Sequence, residues 1–412
     1  MLNGGGGLNP DGLSLDLQFA ADKTLTARKG PTPVFTRLST GTFVGSNGLI
    51  QTAAAFAARF DHDPVTLASR GLLIEESRTN SITGSNAFNT WTLGNSTVAS
   101  SSVVTPEGTA DAWKVVEDIL LANHSASRPF TPVSGTTYTA SAWIKSAENG
   151  FAFVGLTGGG FAATFISVNL STGAVSTAVG TPVGATSAAY SNGWWRVSFS
   201  LAATASSSSV IDIRLSRDGN WANRSYLGNG VNGMYCYGGQ VEAGSFATSY
   251  IPTTTASVVR SADVCSITGG DFTSFYNQSE GTMLTNAFTP ASGDRTVLTA
   301  DDNTSNEMIR LRTEGTNPFF KVTDGGSELV AIDAGTVSAN TSFKLIGAYK
   351  LDDFASSING GAAVTDTSGT TPTVDRMRIG TGQGGNTMCG CVASLRYYKK
   401  RLPNAKLQAL TA

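Results

Sequence analysis

TTYTASAWIKS, residues 136–146, decides the fold. Tyr138, Ala140, Ala142 and Ile144 fall on one side of an extended chain, and Thr139, Ser141, Trp143 and Lys145 on the other. That period of two is the signature of a strand with one face turned to a core. The same signature recurs outward from it. DAWKVVED (111–118), FAFVGLT (151–157), ATFISVNL (163–170), GWWRVSFSL (193–201), SVIDIRLS (209–216) and GMYCYGGQVEAG (233–244) all read as strands, with polar turns such as NLSTGAV between them. GWWRVSFSL sets Trp195, Val197 and Phe199 on one face. Strands at this spacing predict a two-sheet sandwich over residues 81–260.

Beyond ATSYIPTTTASVVRSADV (247–264), which reads as an extended linker, a second series follows over residues 261–412. GTMLTNAFTP, RTVLTADD, EMIRLRTEG, PFFKVTDGG, SFKLIGAYKLDDFASSINGG, VDRMRIGTG and CGCVASLRYYKKRL are successive strands. RLPNAKLQALTA is the one good helix candidate, with Pro403 near its start and Leu407 and Leu410 three apart. Upstream, residues 1–80 are irregular. LSLDLQFA reads as a strand and Gly4 to Gly7 as a flexible leader. This segment has too little apolar periodicity for its own core, so it is expected to fold against a neighbour, such as another copy of the chain. The fold class is therefore all-β: two tandem antiparallel β-sandwich (jelly-roll) domains after an irregular N-terminal attachment segment.

Composition agrees and excludes several functions. Of 412 residues, 14% are charged and 40% hydrophobic, which is poor in charge yet rich enough in apolar side chains to fold. The formal net charge is −2, and Lys399, Lys400 and Arg401 form the one tight basic cluster, so a phosphate-tracking nucleic-acid surface is not expected. Apolar runs are too short for a membrane helix, and MLNGGGGLNP has no signal-peptide character. The four cysteines, Cys236, Cys265, Cys389 and Cys391, read as buried thiols. With two histidines, His62 and His124, and no GxSxG, neither a zinc site nor a hydrolase triad is indicated.

Charge gathers in FDHDPVTLASRGLLIEESRTN (60–80). Neighbouring Glu75 and Glu76 point to opposite sides of an extended chain, so they cannot face each other across a glycosidic bond. Asp61, Asp63, Arg70, Glu75, Glu76 and Arg78 instead read as a connector, pairing with another domain or subunit. Among six tryptophans, Trp143 and Trp195 read as core. Trp221 sits in the turn-rich loop SRDGNWANRSYLGNG with Asp218, Asn220, Asn223 and Arg224, which suits a sugar platform, with an ordinary loop anchor as the alternative. Asp301-Asp302-Asn303 and Asp352-Asp353 offer hard oxygen ligands without EF-hand spacing. A solvated turn is the alternative, and the sequence leaves a metal undecided. No catalytic residue and no cofactor are expected.

Three stretches carry a family resemblance. RFDHDPVTLASRGLLIEESRTN (59–80) resembles a segment of bacteriophage virion proteins that joins an attachment region to a β-sandwich. YGGQVEAGSFATSYIPTTTASVVRSADV (237–264) resembles the closing segment of phage sandwich domains similar to carbohydrate-binding modules. LIGAYKLDDFASSINGG (345–361) with ASLRYYKKRLPNAKLQALT (393–411) looks like a laminin-G/concanavalin-A type sandwich. The resemblance implies a virion protein, assembled in the host cytoplasm and released by lysis: a tail fibre, tail spike or head fibre that adheres to host-surface glycans. It also implies a homotrimer bound to other virion proteins through residues 1–80. A non-adhesive decoration protein and a polysaccharide depolymerase are the alternatives. Removal of residues 1–80 is expected to leave both sandwiches folded.

Overall fold

The structure, a computed structural model, describes residues 11–289, 293–383 and 385–412, so the four-glycine run lies outside the described residues. The chain is nearly all β, in antiparallel sheets. The first sandwich is two six-stranded sheets. One runs in the order Val183–Tyr190, Trp194–Ala202, Thr137–Ser146, Gly233–Ala243, Trp113–Glu117, Ser96–Ser100. The other runs Val175–Val179, Phe161–Asn169, Phe151–Gly158, Ser209–Ser216, Ser125–Phe130, Thr92–Gly94. Val115, Ile144, Val154, Ile166, Val197, Phe199, Ile213 and Val241 fill the space between them, with no solvent exposure. The sequence-derived strands fall within a few residues of the observed ones. The weakly apolar strands of this sandwich, such as Val175–Val179, carried too little alternation to be seen.

The second sandwich is built from both ends of the chain. Its seven-stranded sheet begins with Val34–Thr36, paired to Val264–Thr268. Its eight-stranded sheet includes Leu13–Leu17, Phe60–His62 and Ser69–Ile74 beside the C-terminal strand Gly390–Tyr398. Leu15, Leu17, Leu72 and Ile74 are wholly buried in one core with Leu298, Ile309, Phe320, Leu345 and Val392. Residues 11–80 are thus not a separate irregular segment awaiting another copy. The surface they need is in the same chain, and the first sandwich is inserted between their last strand and the rest of their own sandwich. The physical reason is in the register: Leu72, Leu73 and Ile74 form a run apolar on both faces, which suits an interior strand, and it lies opposite Val392, Cys391 and Gly390. Gly71 makes that approach possible. Its φ is +97°, and a Cβ there would lie 2.2 Å from the Val392 carbonyl oxygen.

The run 247–264 is also not a free linker. Tyr250 and Ile251 are buried, and Val258–Arg260 pairs with Arg78–Asn80. The C-terminal helix is Asn404–Thr411, just after Pro403, with Leu407 buried. A second helix, Gly269–Phe275, was not evident in the sequence, because its residues Gly-Gly-Asp-Phe-Thr-Ser-Phe are weak helix formers and burial of Phe272 and Phe275 holds it. Among the described residues no helix is long and apolar enough to cross a membrane.

Candidate functional site

The inserted sandwich has one face that meets neither its own core nor open solvent. On the strand Thr137–Ser146, Tyr138, Ala140, Ala142 and Ile144 enter the core as the alternation predicts, but Thr139, Ser141 and Trp143 are buried as well. Trp143, Trp194, Tyr237 and Tyr250 form a second apolar cluster on that outer side, together with Ile50 of the N-terminal segment. The second sandwich docks here.

At the dock lies a buried ionic cluster. Arg37 Nη1 is 3.0 Å from Asp263 Oδ1, Arg59 Nη1 is 2.8 Å from Glu75 Oε2, and Arg260 Nη1 is 3.0 Å from the same oxygen. Arg59 also pairs with Asp263 through Nη2. Glu75 accepts from the amide and hydroxyl of Ser249, in the closing segment of the first sandwich. Burial alone would raise the Glu75 carboxyl. The Arg260 and Arg59 guanidiniums and the Ser249 donors outweigh it and hold the group at about 2. Behind it, buried Glu242 accepts from the amide and hydroxyl of Thr248, whose hydroxyl in turn accepts from Arg260.

The structure therefore places the six connector candidates unequally. Glu75 is central to the junction. Glu76 is its outward neighbour and holds Arg78, whose Nε donates to Glu76 Oε1 at 2.7 Å. Asp63 caps the turn after it through the amides of Val65 and Thr66 and holds Arg70 at 2.8 Å. Asp61 accepts from the Val44 amide at 2.7 Å and has Arg70 3.9 Å away.

A pocket of about 130 Å³ opens beside this cluster, lined by all three parts of the chain. Phe43, Asp61, Arg70 and Glu75 come from the N-terminal segment, Trp143, Tyr190, Arg196 and Thr248 from the inserted sandwich, and Phe288, Cys389 and Cys391 from the C-terminal strands. Phe43, Tyr190 and Phe288 are half-buried. Arg70 lies 4.4 Å over the Phe288 ring and Arg196 4.4 Å over Trp143. Burial pushes the Asp61 carboxyl up to about 6, against the Val44 amide and Arg70, which favour its charge. Burial also raises the Tyr190 phenol and the Cys391 thiol, so that thiol is inert. All four cysteines are free and buried. Two pocket groups are buried without a hydrogen-bond partner: Trp143 Nε1 and Arg196 Nε.

Arg196, Tyr190 and Thr248 were not singled out by sequence reasoning. The usable signal was the non-core face of two strands: Trp143 on one, and Trp194 and Arg196 on the next, are too large and apolar a set for a solvated face.

The Trp221 loop has its own internal order. The indole lies 4.7 Å from Phe165 and 5.3 Å from Phe153, centre to centre, with Arg224 4.9 Å and Arg214 5.4 Å from its ring. Asp218 accepts from the Asn220 amide and from Asn223 Nδ2, and Asn220 caps the short 3₁₀ turn through the Ala222 amide. Part of the hydrogen-bonding capacity of these polar groups is used inside the loop. Asp301 is neither a solvated turn nor a calcium ligand in this arrangement: it is buried, with Arg378 Nε at 2.8 Å and Arg376 at 3.8 Å. Asp353 pairs with Arg401 at 2.8 Å. No cluster of metal-ligating side chains occurs among the described residues.

No protein-family model matches this chain, and no curated protein matches it. Solved structures do. One is the CBM40 module of a Ruminococcus gnavus IT-sialidase bound to α2,6-sialyllactose, at 16% identity over 33% of this chain and 85% of that one, with a TM-score of 0.29. A second is domain 4 of AbnA, a GH43 extracellular arabinanase from Geobacillus stearothermophilus, in complex with arabinotriose: 14% identity, 40% and 82% covered, TM-score 0.29. A third is the LG4-5 region of mouse laminin α1, at 12% identity over 69% and 92%, TM-score 0.25. At such low identity and overlap, no residue is matched to theirs.

Proposed function

We propose that this chain is a non-catalytic glycan-binding protein of a bacteriophage virion, and that it binds sugar in the pocket between its two sandwiches. The observation that carries the binding site is the lining of that pocket. Half-buried Phe43 and Tyr190 offer aromatic surface for the apolar side of a sugar, with Phe288 stacked under Arg70 beside them and Asp61, Arg70 and Arg196 as hydrogen-bonding groups. At about 130 Å³ the pocket is well below the roughly 300–1,000 Å³ of sites for drug-sized ligands. It suits one terminal sugar unit rather than an extended chain.

One feature favours an enzyme. Asp61 and Glu75 line the same pocket with carboxyls at about 6 and about 2, the split that acid–base pairs show. Occupancy weighs against it. Both Glu75 oxygens are taken, Oε1 by the Ser249 amide and Oε2 by the Ser249 hydroxyl, Arg59 and Arg260, so none is free to attack a sugar or activate water.

The virion placement is supported by the resemblance of residues 59–80 and 237–264 to phage segments. Attachment to other virion proteins through the N-terminal residues, and assembly as a homotrimer, are part of the same proposal. Val34, Leu38, Phe56, Val65 and Leu67 stand exposed on that segment and suit a protein contact. A glycan array probed with the intact chain tests the binding function, with terminal-sugar recognition expected and a blank array overturning it. Antibody-gold labelling of purified particles tests the placement, and unlabelled particles would remove it. Loss of polysaccharide viscosity on adding the chain would overturn the non-catalytic reading.

A further inference from the structure

The charges around the junction pocket do not all have partners. Glu75 is saturated by Arg59, Arg260 and Ser249. Arg70 bonds Asp63 at 2.8 Å and lies 3.9 Å from Asp61. Arg196 has no carboxylate within ion-pair distance among the described residues. Its Nη2 donates to the Thr248 carbonyl at 2.7 Å and reaches Ser141 Oγ at 3.4 Å, while its Nε is buried with no acceptor. Arg196 is half-buried at the pocket wall, stacked 4.4 Å over Trp143, and its planar fork matches a carboxylate. Resting on the glycan-binding reading above, we propose that the ligand of this pocket is a sugar that carries a carboxylate, and that Arg196 is its ion-pair partner.

Asp61 couples this site to protons. It faces Arg70 and the Val44 amide, with Arg59, Glu75, Tyr190 and Cys391 within electrostatic reach and His62 and Asp63 next along its own segment. Ionised, Asp61 offsets the positive charge that draws the ligand. Protonated, it leaves Arg70 to Asp63 and Arg196 to the ligand, and it gains a hydroxyl that can donate. The pocket therefore takes up an anion and a proton together, and binding tightens as pH falls through the Asp61 titration.

The test is titration calorimetry of the intact chain with methyl glucuronide, N-acetylneuraminic acid and methyl glucoside, at pH about 5 and about 7.5, on either side of the Asp61 titration. At least one acidic sugar is expected to bind on the order of tenfold more tightly than the glucoside, and on the order of tenfold more tightly at the lower pH. Arg196→Gln should erase the preference for acid. Asp61→Asn should bind at the higher pH as the unmodified chain does at the lower, which keeps the proposal testable if the arginine variant does not fold. Equal affinity for acidic and neutral sugars would overturn this inference and leave the glycan reading in place. Acid preference without pH dependence would overturn the role of Asp61. No binding of these probes, together with a blank array, would overturn both readings.

Discussion

Ser249 donates twice to Glu75, from its amide to Oε1 and from its hydroxyl to Oε2, each at 2.7 Å across 174 residues of sequence. One serine thus ties the closing segment of the inserted sandwich to the residue that follows strand Ser69–Ile74 of the sandwich around it. With Arg59 and Arg260 on the same carboxylate, the junction is a fixed ionic unit rather than a hinge.

Replacing Glu75 with Gln is expected to destabilise the chain by about 3–5 kcal/mol, because Arg59 and Arg260 would remain buried without that charge. Urea denaturation at neutral pH measures it. The wild-type contribution is fully present above the ordinary carboxyl value of 4.5 and is lost as pH falls through about 2. The variant's acid-unfolding curve should therefore be flatter over that window. A loss under about 1 kcal/mol would place the group near the surface instead.

Asp61→Asn should act in the opposite direction. The folded chain holds a proton on Asp61 up to about pH 6 that the unfolded chain releases near 3.8. Wild-type stability from this group therefore falls as pH rises between those values, by roughly 3 kcal/mol for a shift of about two units. The asparagine keeps an oxygen for the Val44 amide and carries no charge. Above pH about 6 the variant should be the more stable chain in thermal melts, by up to roughly that amount. Equal melting temperatures at neutral pH would refute the burial account.

Deleting residues 1–80 should unfold the C-terminal sandwich and leave the inserted one intact. The deletion removes four strands from its two sheets, among them the buried Leu72–Ile74 run, and opens their edges. Limited proteolysis should spare a fragment near 81–253 and digest residues beyond it. A protected C-terminal fragment would contradict the topology.

At Gly71, alanine meets two obstacles: a φ of +97° and a backbone oxygen 2.2 Å from the new Cβ. The Val392 carbonyl belongs to a paired strand and cannot swing away as a side chain would. A loss on the order of 2–4 kcal/mol in chemical denaturation is expected. A near-neutral result would mean that the two strands do not pair in this register.

Trp221→Ala separates the two candidate sugar sites. It should lower stability by about 1–2 kcal/mol, since the half-buried indole packs on Phe153 and Phe165. Glycan affinity should stay within about twofold of the wild type if the junction pocket is the site. Loss of binding with the fold preserved would move the site to the loop.

The strands were legible in the sequence because period-two alternation is local. Thr137–Ser146 and Trp194–Ala202 could be read from ten and nine residues. The same locality hid the outer face, since Thr139, Ser141 and Trp143 are buried by segments far along the chain. It also hid the partner of Leu72–Ile74. One edge of that run pairs locally with Phe60–His62, but its register with residues 390–392 on the other edge is a tertiary fact. Glu75 was expected to be a connector from its charge in a charge-poor chain. Arg196 was not recognised, because a single arginine between apolar residues on a strand looks solvated until something covers it. The missed Gly269–Phe275 helix follows the same rule: tertiary burial overrides weak propensity.

The two-ended sandwich also sets a waiting time during synthesis. Asp16 must meet Arg396, 380 residues later, before its sheet can close. At roughly 5–20 residues per second the ribosome needs on the order of 20–80 s to deliver that partner. The inserted sandwich can fold in the interval, and Ser69–Ile74 can pair with Phe60–His62, but its other edge waits for Gly390–Val392. Slowing elongation lengthens the time that sheet edge stands open and should lower soluble yield more than that of the inserted sandwich expressed alone.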